Sequence, residues 1–414
     1  MARKKFDIPD LYHSPVIRTI KEATRIDDPR KREFSPSTLD LQTVKFLIPR
    51  HFGFCYGVEN AIDIAYRTLD KNPDKEIYLL SEMIHNPTVN EDLQKRGISF
   101  LFDTDGTERI PIESIHPESL VIVPAFGTTL EIERRLKNHG IDPYRFNTTC
   151  PFVEKVWKRG KQLGKKGYSL VIHGKACHEE TRATFSHASE HSPVVVVLNP
   201  AEATILAEIM TGKRPISDFQ QSFGETSTPG FDPLQDLETF GVINQTTMLA
   251  TETQEVMRIL KDAARERFGE TRANDRFADT SDTLCYATHE NQQATYGLAD
   301  AKPDLAVVVG GYNSSNTMHL AEILEKHCPT YHIRDATELN QHTIHHFNQW
   351  TGAMESTDGW LENVPASPSI ALTSGASCPD TLVDEVLLTI REWFPGGHSL
   401  QKALAPFATT VQQS

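Results

Sequence analysis

Three cysteines and a scattered set of hydroxyl, amide, imidazole and carboxylate side chains are the residues of this chain best suited to chemistry. Cys55 lies in GFCYGV, Cys150 in NTTCPFVEKV and Cys285 in DTLCYATHENQQA, each beginning or preceding an expected helix. A helix N-terminus favours thiolate over thiol. Thiolates ligate soft metals and iron–sulfur clusters. Three of them on a four-iron cube would leave one iron open to substrate, much as a catalytic zinc keeps an open position. The competing account is three buried or capping thiols acting as small hydrophobes, and spacing alone leaves both standing. The other cysteines are Cys177, Cys328 and Cys378, and no two of the six form a C-x-x-C pair. That excludes zinc-ribbon and thioredoxin spacing.

The polar set is of a different kind. SEMIHNPTVNEDL carries His85, and HGKACHEET carries His178 and Glu180. INQTTM supplies Thr246 and Thr247, GGYNSSNTMHL supplies Ser314, Ser315 and Asn316, and SGASCPD supplies Ser377. Hydroxyls, amides and backbone N–H groups at helix starts bind anions, and histidine adds a donor that becomes a cation on protonation. Taken singly, N-S-S-N also reads as an ordinary helix cap, and His178 with Glu180 as a solvated loop pair. His187, His191, His345 and His346 have no comparable context and are assigned to the surface.

These residues need elements to hold them, and a repeating pattern supplies them. Short β-branched runs end in polar or Gly-rich loops: VKFLIP, LVIVPA, YSLVIHG, FGVIN, LAVVVGG and SIALTSG. Such runs read as buried strands of parallel sheets. The segments after them have helical spacing, with Val58, Ile62, Ala65 and Leu69 on one face and Leu320, Ile323 and Leu324 on another. The chain is therefore expected to be α/β, with ligands at the carboxyl ends of the strands. We divide it into a polar N-terminal extension (1–42), expected to be flexible or loosely packed, and α/β subdomains at 43–140, 141–270 and 271–400. A tail follows at 401–414. Stretches 212–236 and 339–366 lack periodicity and read as irregular insertions.

Composition bounds the function class. With 414 residues, 38% hydrophobic and 24% charged, a soluble globular protein is the default. No run approaches the roughly 18 apolar residues of a membrane helix, and the N-terminus has no apolar core of a secretory signal. A cytoplasmic location and no membrane partner are expected. The net charge of −14 argues against a nucleic-acid partner.

Taken together and in order, nine blocks resemble the LytB/IspH family of 4-hydroxy-3-methylbut-2-enyl diphosphate reductases. They are HFGFCYGVENAI, EMIHNPTVNEDL, PAFGTT, TTCPFVEKV, HGKACHEET, INQTTM, LCYATHENQQA, GGYNSSNTMHLAEI and SGASCPD, spanning roughly residues 45–385. The resemblance implies three α/β subdomains in a trefoil-like arrangement around one 4Fe–4S cluster per subunit, with Cys55, Cys150 and Cys285 matching its ligands and the other cysteines non-ligands. It implies that His85, His178, Thr247, Ser314, Ser315, Asn316 and Ser377 bind substrate. Glu180 matches the proton-donating carboxylate, and Thr246 a hydroxyl that helps place the substrate's terminal oxygen. The implied reaction is reductive dehydroxylation of the allylic diphosphate to isopentenyl and dimethylallyl diphosphate, the last step of the non-mevalonate pathway. Two departures stand out. Many members read A-H-G where this chain has Ala125-Phe126-Gly127, and H-P-E where it has His178-Glu179-Glu180. Both resemble the plant and cyanobacterial branch, which implies ferredoxin as electron donor. The alternatives are a non-redox cluster hydro-lyase, which needs no reductant, and a cluster-based redox sensor, which needs no anion clamp. A zinc protein is a weaker option.

Overall fold

All six apolar runs form strands, and the local sequence says why. In Leu305–Val309, residues Leu305, Val307 and Val309 face one hydrophobic cluster while Ala306 and Val308 face another. A strand covered on both faces needs apolar residues at every position, so it shows a continuous run rather than alternation. The computed structural model describes residues 6–278, 280 and 283–412. The start of DTLCYATHENQQA and the ends of both terminal segments lie outside them.

The chain divides into two compact units, Met1–Glu59 with His85–Thr88 and Tyr286–Ser414, and Asn60–Ile84 with Val89–Cys285. The first holds a seven-stranded sheet in the order Ser37–Asp40, Lys45–Ile48, Ser369–Ser374, Leu305–Val309, Thr330–Ile333, Thr343–Asn348, Ala353–Asp358. The central pairings are parallel and the outer ones antiparallel. Parallel neighbours need helical crossovers, whereas the outer strands are joined by short turns. Lys45–Ile48 pairs with Ser369–Ser374. It thus shares a sheet with the C-terminal third of the chain, across the subdomain boundaries drawn from sequence.

The second unit has two all-parallel sheets. One is ordered Ile98–Phe100, Ile77–Leu79, Leu120–Ile122, and the other Val194–Val197, Ser169–His173, Phe240–Asn244, Phe277–Ala278. The α/β expectation is borne out, with three sheets among the described residues. No described helix is long and apolar enough to cross a membrane.

The N-terminal extension corrects the expectation of loose packing. Pro15–Asp27 is a helix whose Val16, Ile17, Ile20 and Ala23 are buried, three of them in the core of the first unit. Ser14 caps it, its Oγ accepting from Ile17 N at 3.1 Å, and proline occupies the first turn, where its missing N–H costs nothing. The Asp384 carboxylate accepts from Ile17 N at 3.1 Å and Val16 N at 3.4 Å. The acids and bases that made the segment read as polar lie largely on the outer face of this helix.

The two insertions are also ordered. Within 339–366, Thr343–Asn348 and Ala353–Asp358 form an antiparallel hairpin at the sheet edge. Within 212–236, Asp218–Phe223 is a short helix anchored by Phe219 and Phe223, with the Phe231 ring stacked on Phe219 at 5.3 Å. A few aromatic anchors secure this stretch without generating a period. In the tail, Leu400–Gln412 is helical and packs Leu400, Leu404 and Phe407 against the core.

Candidate active site

In the first unit, three loops at strand ends close on one another because glycine permits it. A Cβ on Gly311 would lie 2.5 Å from His85 O. Cβ atoms on Gly310 and Gly375 would meet Thr317 Oγ1 at 2.8 and 2.0 Å. The N-S-S-N loop therefore lies against the His85 backbone, and Gly310 and Gly375 lie against the Thr317 side chain, approaches that a Cβ would block. Ser377 Oγ donates to His85 O at 3.1 Å and lies 3.4 Å from Ser314 Oγ.

Ser314 caps the helix Ser315–Glu325, its Oγ accepting from Thr317 N at 3.3 Å and Thr317 Oγ1 at 2.9 Å. Asn316 is only 2% exposed, and neither its Nδ2 nor its Oδ1 has a partner among the described residues. Burying an unsatisfied amide costs about 1–3 kcal/mol, so its retention at a helix N-terminus points to a ligand that completes it. The cap reading of N-S-S-N holds for Ser314, while the Asn316 amide takes no part in the cap.

Cys55 joins this group from the other side. Its N–H donates to Ala376 O at 3.3 Å, and its carbonyl accepts from Glu59 N at 2.9 Å, which opens the helix Tyr56–Lys71. The preceding Gly53 has φ +70° and lies under Lys21, whose Nζ bonds Asp380 Oδ1 at 2.6 Å and sits 4.2 Å over the Phe52 ring. The N-terminal helix thus braces the loop that carries Cys55. A cavity of about 670 Å³, walled by Tyr12, Lys21, Lys31 and Tyr286, reaches this half-buried thiol.

In the second unit the centre is a carboxylate. Glu180, 2% exposed, accepts from Thr246 N at 2.5 Å and from Thr246 Oγ1 at 2.9 Å. Glu180 starts from the helix Glu179–Ser189, and Thr246 follows the strand Phe240–Asn244. His178 caps that helix, its Nδ1 accepting from Glu180 N at 3.1 Å. An accepting Nδ1 leaves the ring proton on Nε2, so His178 presents a donor at its far nitrogen. Gln245 fixes the backbone around the pair. Its Oε1 accepts from Lys175 N at 3.1 Å and Thr181 Oγ1 at 3.0 Å, and its Nε2 donates to Thr247 Oγ1 at 2.7 Å.

Cys150 caps the helix Pro151–Gly164, with its N–H donating to Ala125 O at 2.9 Å. The next residue, Phe126, places its ring edge-to-face on His178 at 5.7 Å. Phenylalanine here gives no donor and instead holds the His178 ring by contact. Gly127 has φ +77°, and a Cβ there would lie 2.3 Å from the Trp157 ring, so this position tolerates only glycine. Trp157 stacks on His187 at 3.8 Å, and burial pushes that imidazole's pKa down. His187 is therefore a packed residue, which corrects its assignment to the surface.

Cys285 is 8% exposed and directly precedes the helix Tyr286–Asp300. Just before it, Thr283 Oγ1 donates to Asn244 Oδ1 at 2.6 Å, which ties the segment to the end of Phe240–Asn244. All six cysteines are free of disulfides. Cys378 is fully buried and its pKa is raised by that burial, so it is an inert thiol. Among the described residues no three His, Cys, Asp or Glu side chains form a single-ion site.

Sequence reasoning missed Gln245, Thr317 and the tie between Ser81 Oγ and the Glu179 carboxylate. Gln245 and Thr317 lie inside motifs already singled out, and their neighbours drew the attention. Ser81 had no signal beyond its place after a short strand.

Comparison with known proteins gives one family and one fold. A family model described as LytB protein matches residues 46–391. The 4-hydroxy-3-methylbut-2-enyl diphosphate reductase of Prochlorococcus marinus (strain NATL1A) is 35% identical over 383 residues, covering 92% of this chain and 90% of that protein. The reductase of the same name from Picosynechococcus sp. (strain ATCC 27264 / PCC 7002 / PR-6) is 38% identical over 349 residues, covering 84% of each. In fold, the chain is similar to the E-1-hydroxy-2-methyl-but-2-enyl-4-diphosphate reductase structure from Plasmodium falciparum. The TM-score is 0.62 at 22% identity, over 83% of this chain and 86% of that one. With the match running through every block that carries a candidate site residue, this chain belongs to the LytB protein family.

Proposed function

We propose that this protein is a reductase of 4-hydroxy-3-methylbut-2-enyl diphosphate, forming isopentenyl and dimethylallyl diphosphate in the last step of the non-mevalonate pathway. The observation that carries the reading is the buried Glu180–Thr246 pair, with the His178 donor on the same helix start, in a chain of this family. The reaction takes up two electrons and two protons, breaks the allylic C–O bond and releases the oxygen as water.

The cofactor is one 4Fe–4S cluster per subunit, with Cys55, Cys150 and Cys285 as its thiolates. The residues fit such a group: none of the three thiols is tied up in a disulfide and each sits at a helix start, where the helix dipole favours thiolate. When bound, the cluster supplies electrons singly and a Lewis-acidic iron for the substrate oxygen. The electron donor in this reading is ferredoxin.

The chain's own groups do the rest. Ser314, Ser315, Asn316, Ser377 and His85 hold the diphosphate, and the Asn316 amide, which has no partner among the described residues, is the clearest donor for it. His178 adds its Nε2 proton, and Thr247, whose Oγ1 accepts from Gln245 Nε2, binds substrate beside Thr246. Holding the diphosphate fixes where the terminal oxygen lies. Glu180 then delivers a proton to that oxygen, directly or through the Thr246 hydroxyl 2.9 Å away.

The test is anaerobic: the reconstituted protein, reduced ferredoxin and the allylic diphosphate, with both products quantified. Turnover requiring reductant supports the assignment. Turnover without reductant identifies a hydro-lyase instead, and no binding of the diphosphate identifies a sensor.

A further inference from the structure

Glu180 is buried with both carboxylate oxygens occupied, yet the proposed reaction draws protons from solvent in every turnover. A proton delivered from Glu180 must be replaced before the next one can leave. The residue beside it lies on a route to water. Glu179 is 8% exposed, and with its hydrogen-bond partner Ser81 it lines a cavity of about 390 Å³. The same cavity is lined by Asp105 and Glu108, which are exposed and mark its open side, and by Arg182. Consecutive residues of a helix project about 100° apart. In the first turn of Glu179–Ser189 the Glu180 carboxylate is thus turned to Thr246, while the adjacent Glu179 carboxylate is bonded to Ser81 at the wall of this cavity.

We propose that Glu179 is the positioning and relay acid that reprotonates Glu180. A proton enters from water in the cavity onto the Glu179 carboxylate. It then passes, through one bridging water, to the Glu180 carboxylate. Only protons move along this route, and the electrons come from the external reductant. Ser81 holds the Glu179 carboxylate at the cavity wall between transfers. The inference rests on Glu180 being the proton donor. It also gives the H-E-E sequence a function, since the proline of H-P-E carries no proton.

The experiment uses the cluster-loaded full chain with Glu179→Gln and Glu179→Pro. Proline is favoured at the first position of a helix, so the second variant removes the carboxylate while keeping the turn. Both are expected to lower kcat by about tenfold or more, less than the roughly 10²–10⁴-fold of a lost general acid, with KM unchanged. Single-turnover product formation from enzyme already protonated stays near the wild-type rate. Added formate or imidazole restores steady-state kcat, which a structural defect would not allow. Wild-type kcat in both variants overturns the relay, as does a loss that small acids do not restore and that slows the single turnover equally. Failure of the underlying reading is separable, because it appears as near-normal turnover in Glu180→Gln whatever Glu179 does.

Discussion

Thr246→Val tests the centre of the proposed site with one atom. Valine keeps the β-branched shape and removes only the hydroxyl. The Thr246 backbone N–H still donates to Glu180 Oε1 at 2.5 Å, so what is lost is the Oγ1 contact to Oε2 at 2.9 Å. Thr246 is 7% exposed and Glu180 2%, so water does not substitute freely for the missing donor. A buried hydrogen bond to a charged group is worth about 1.5–3 kcal/mol. At about 1.36 kcal/mol per decade of rate, its loss in the transition state corresponds to a roughly 10- to 150-fold fall in kcat. KM should change little, because the diphosphate contacts are made by other residues. Thr246→Ser keeps the O–H and should recover most of the rate. The assay is steady-state product formation with reduced ferredoxin, at matched iron content. A valine variant within about twofold of wild type would refute the role of the hydroxyl, as would a serine variant equally impaired.

Three further outcomes follow from the same structure. Cys150→Ser should lose the cluster's visible absorption and its activity together, and retention of four irons per chain would remove Cys150 from the ligand set. Ile17→Ala, at a fully buried position of the N-terminal helix, should destabilise the protein by about 2–5 kcal/mol; an unchanged urea midpoint would mean that this helix does not contribute to the cooperative core. Burial raises the Asp384 carboxyl from 3.8 to about 6, so the folded state binds that proton more tightly than the unfolded state. The resulting stability is complete below about pH 4 and is lost as pH rises through 6, some 3 kcal/mol in all. Asp384→Asn should therefore lack this fall between pH 4 and 7, and parallel pH profiles of wild type and variant would contradict it.

Much of this protein was legible in its sequence. The six strands announced themselves because a sheet covered on both faces needs unbroken β-branched runs, as Leu305–Val309 illustrates. Glycines before polar loops marked the strand ends, and that is where Cys55, Ser314 and Ser377 lie. The motifs in order pointed to the family and to a set of polar residues. Other features depended on long-range packing. The N-terminal helix looked polar because only one face of four residues is apolar, and its place depends on Asp384, more than 360 residues away. The strand Lys45–Ile48 finds its partner at Ser369–Ser374, a pairing that local pattern does not encode. The pairing of Glu180 with Thr246, the Phe126 ring on His178 and the Ser81–Glu179 tie join segments distant in sequence. Residue types state what chemistry is available. Tertiary structure decides which donor meets which acceptor away from water, because only burial makes a single hydroxyl or carboxylate count.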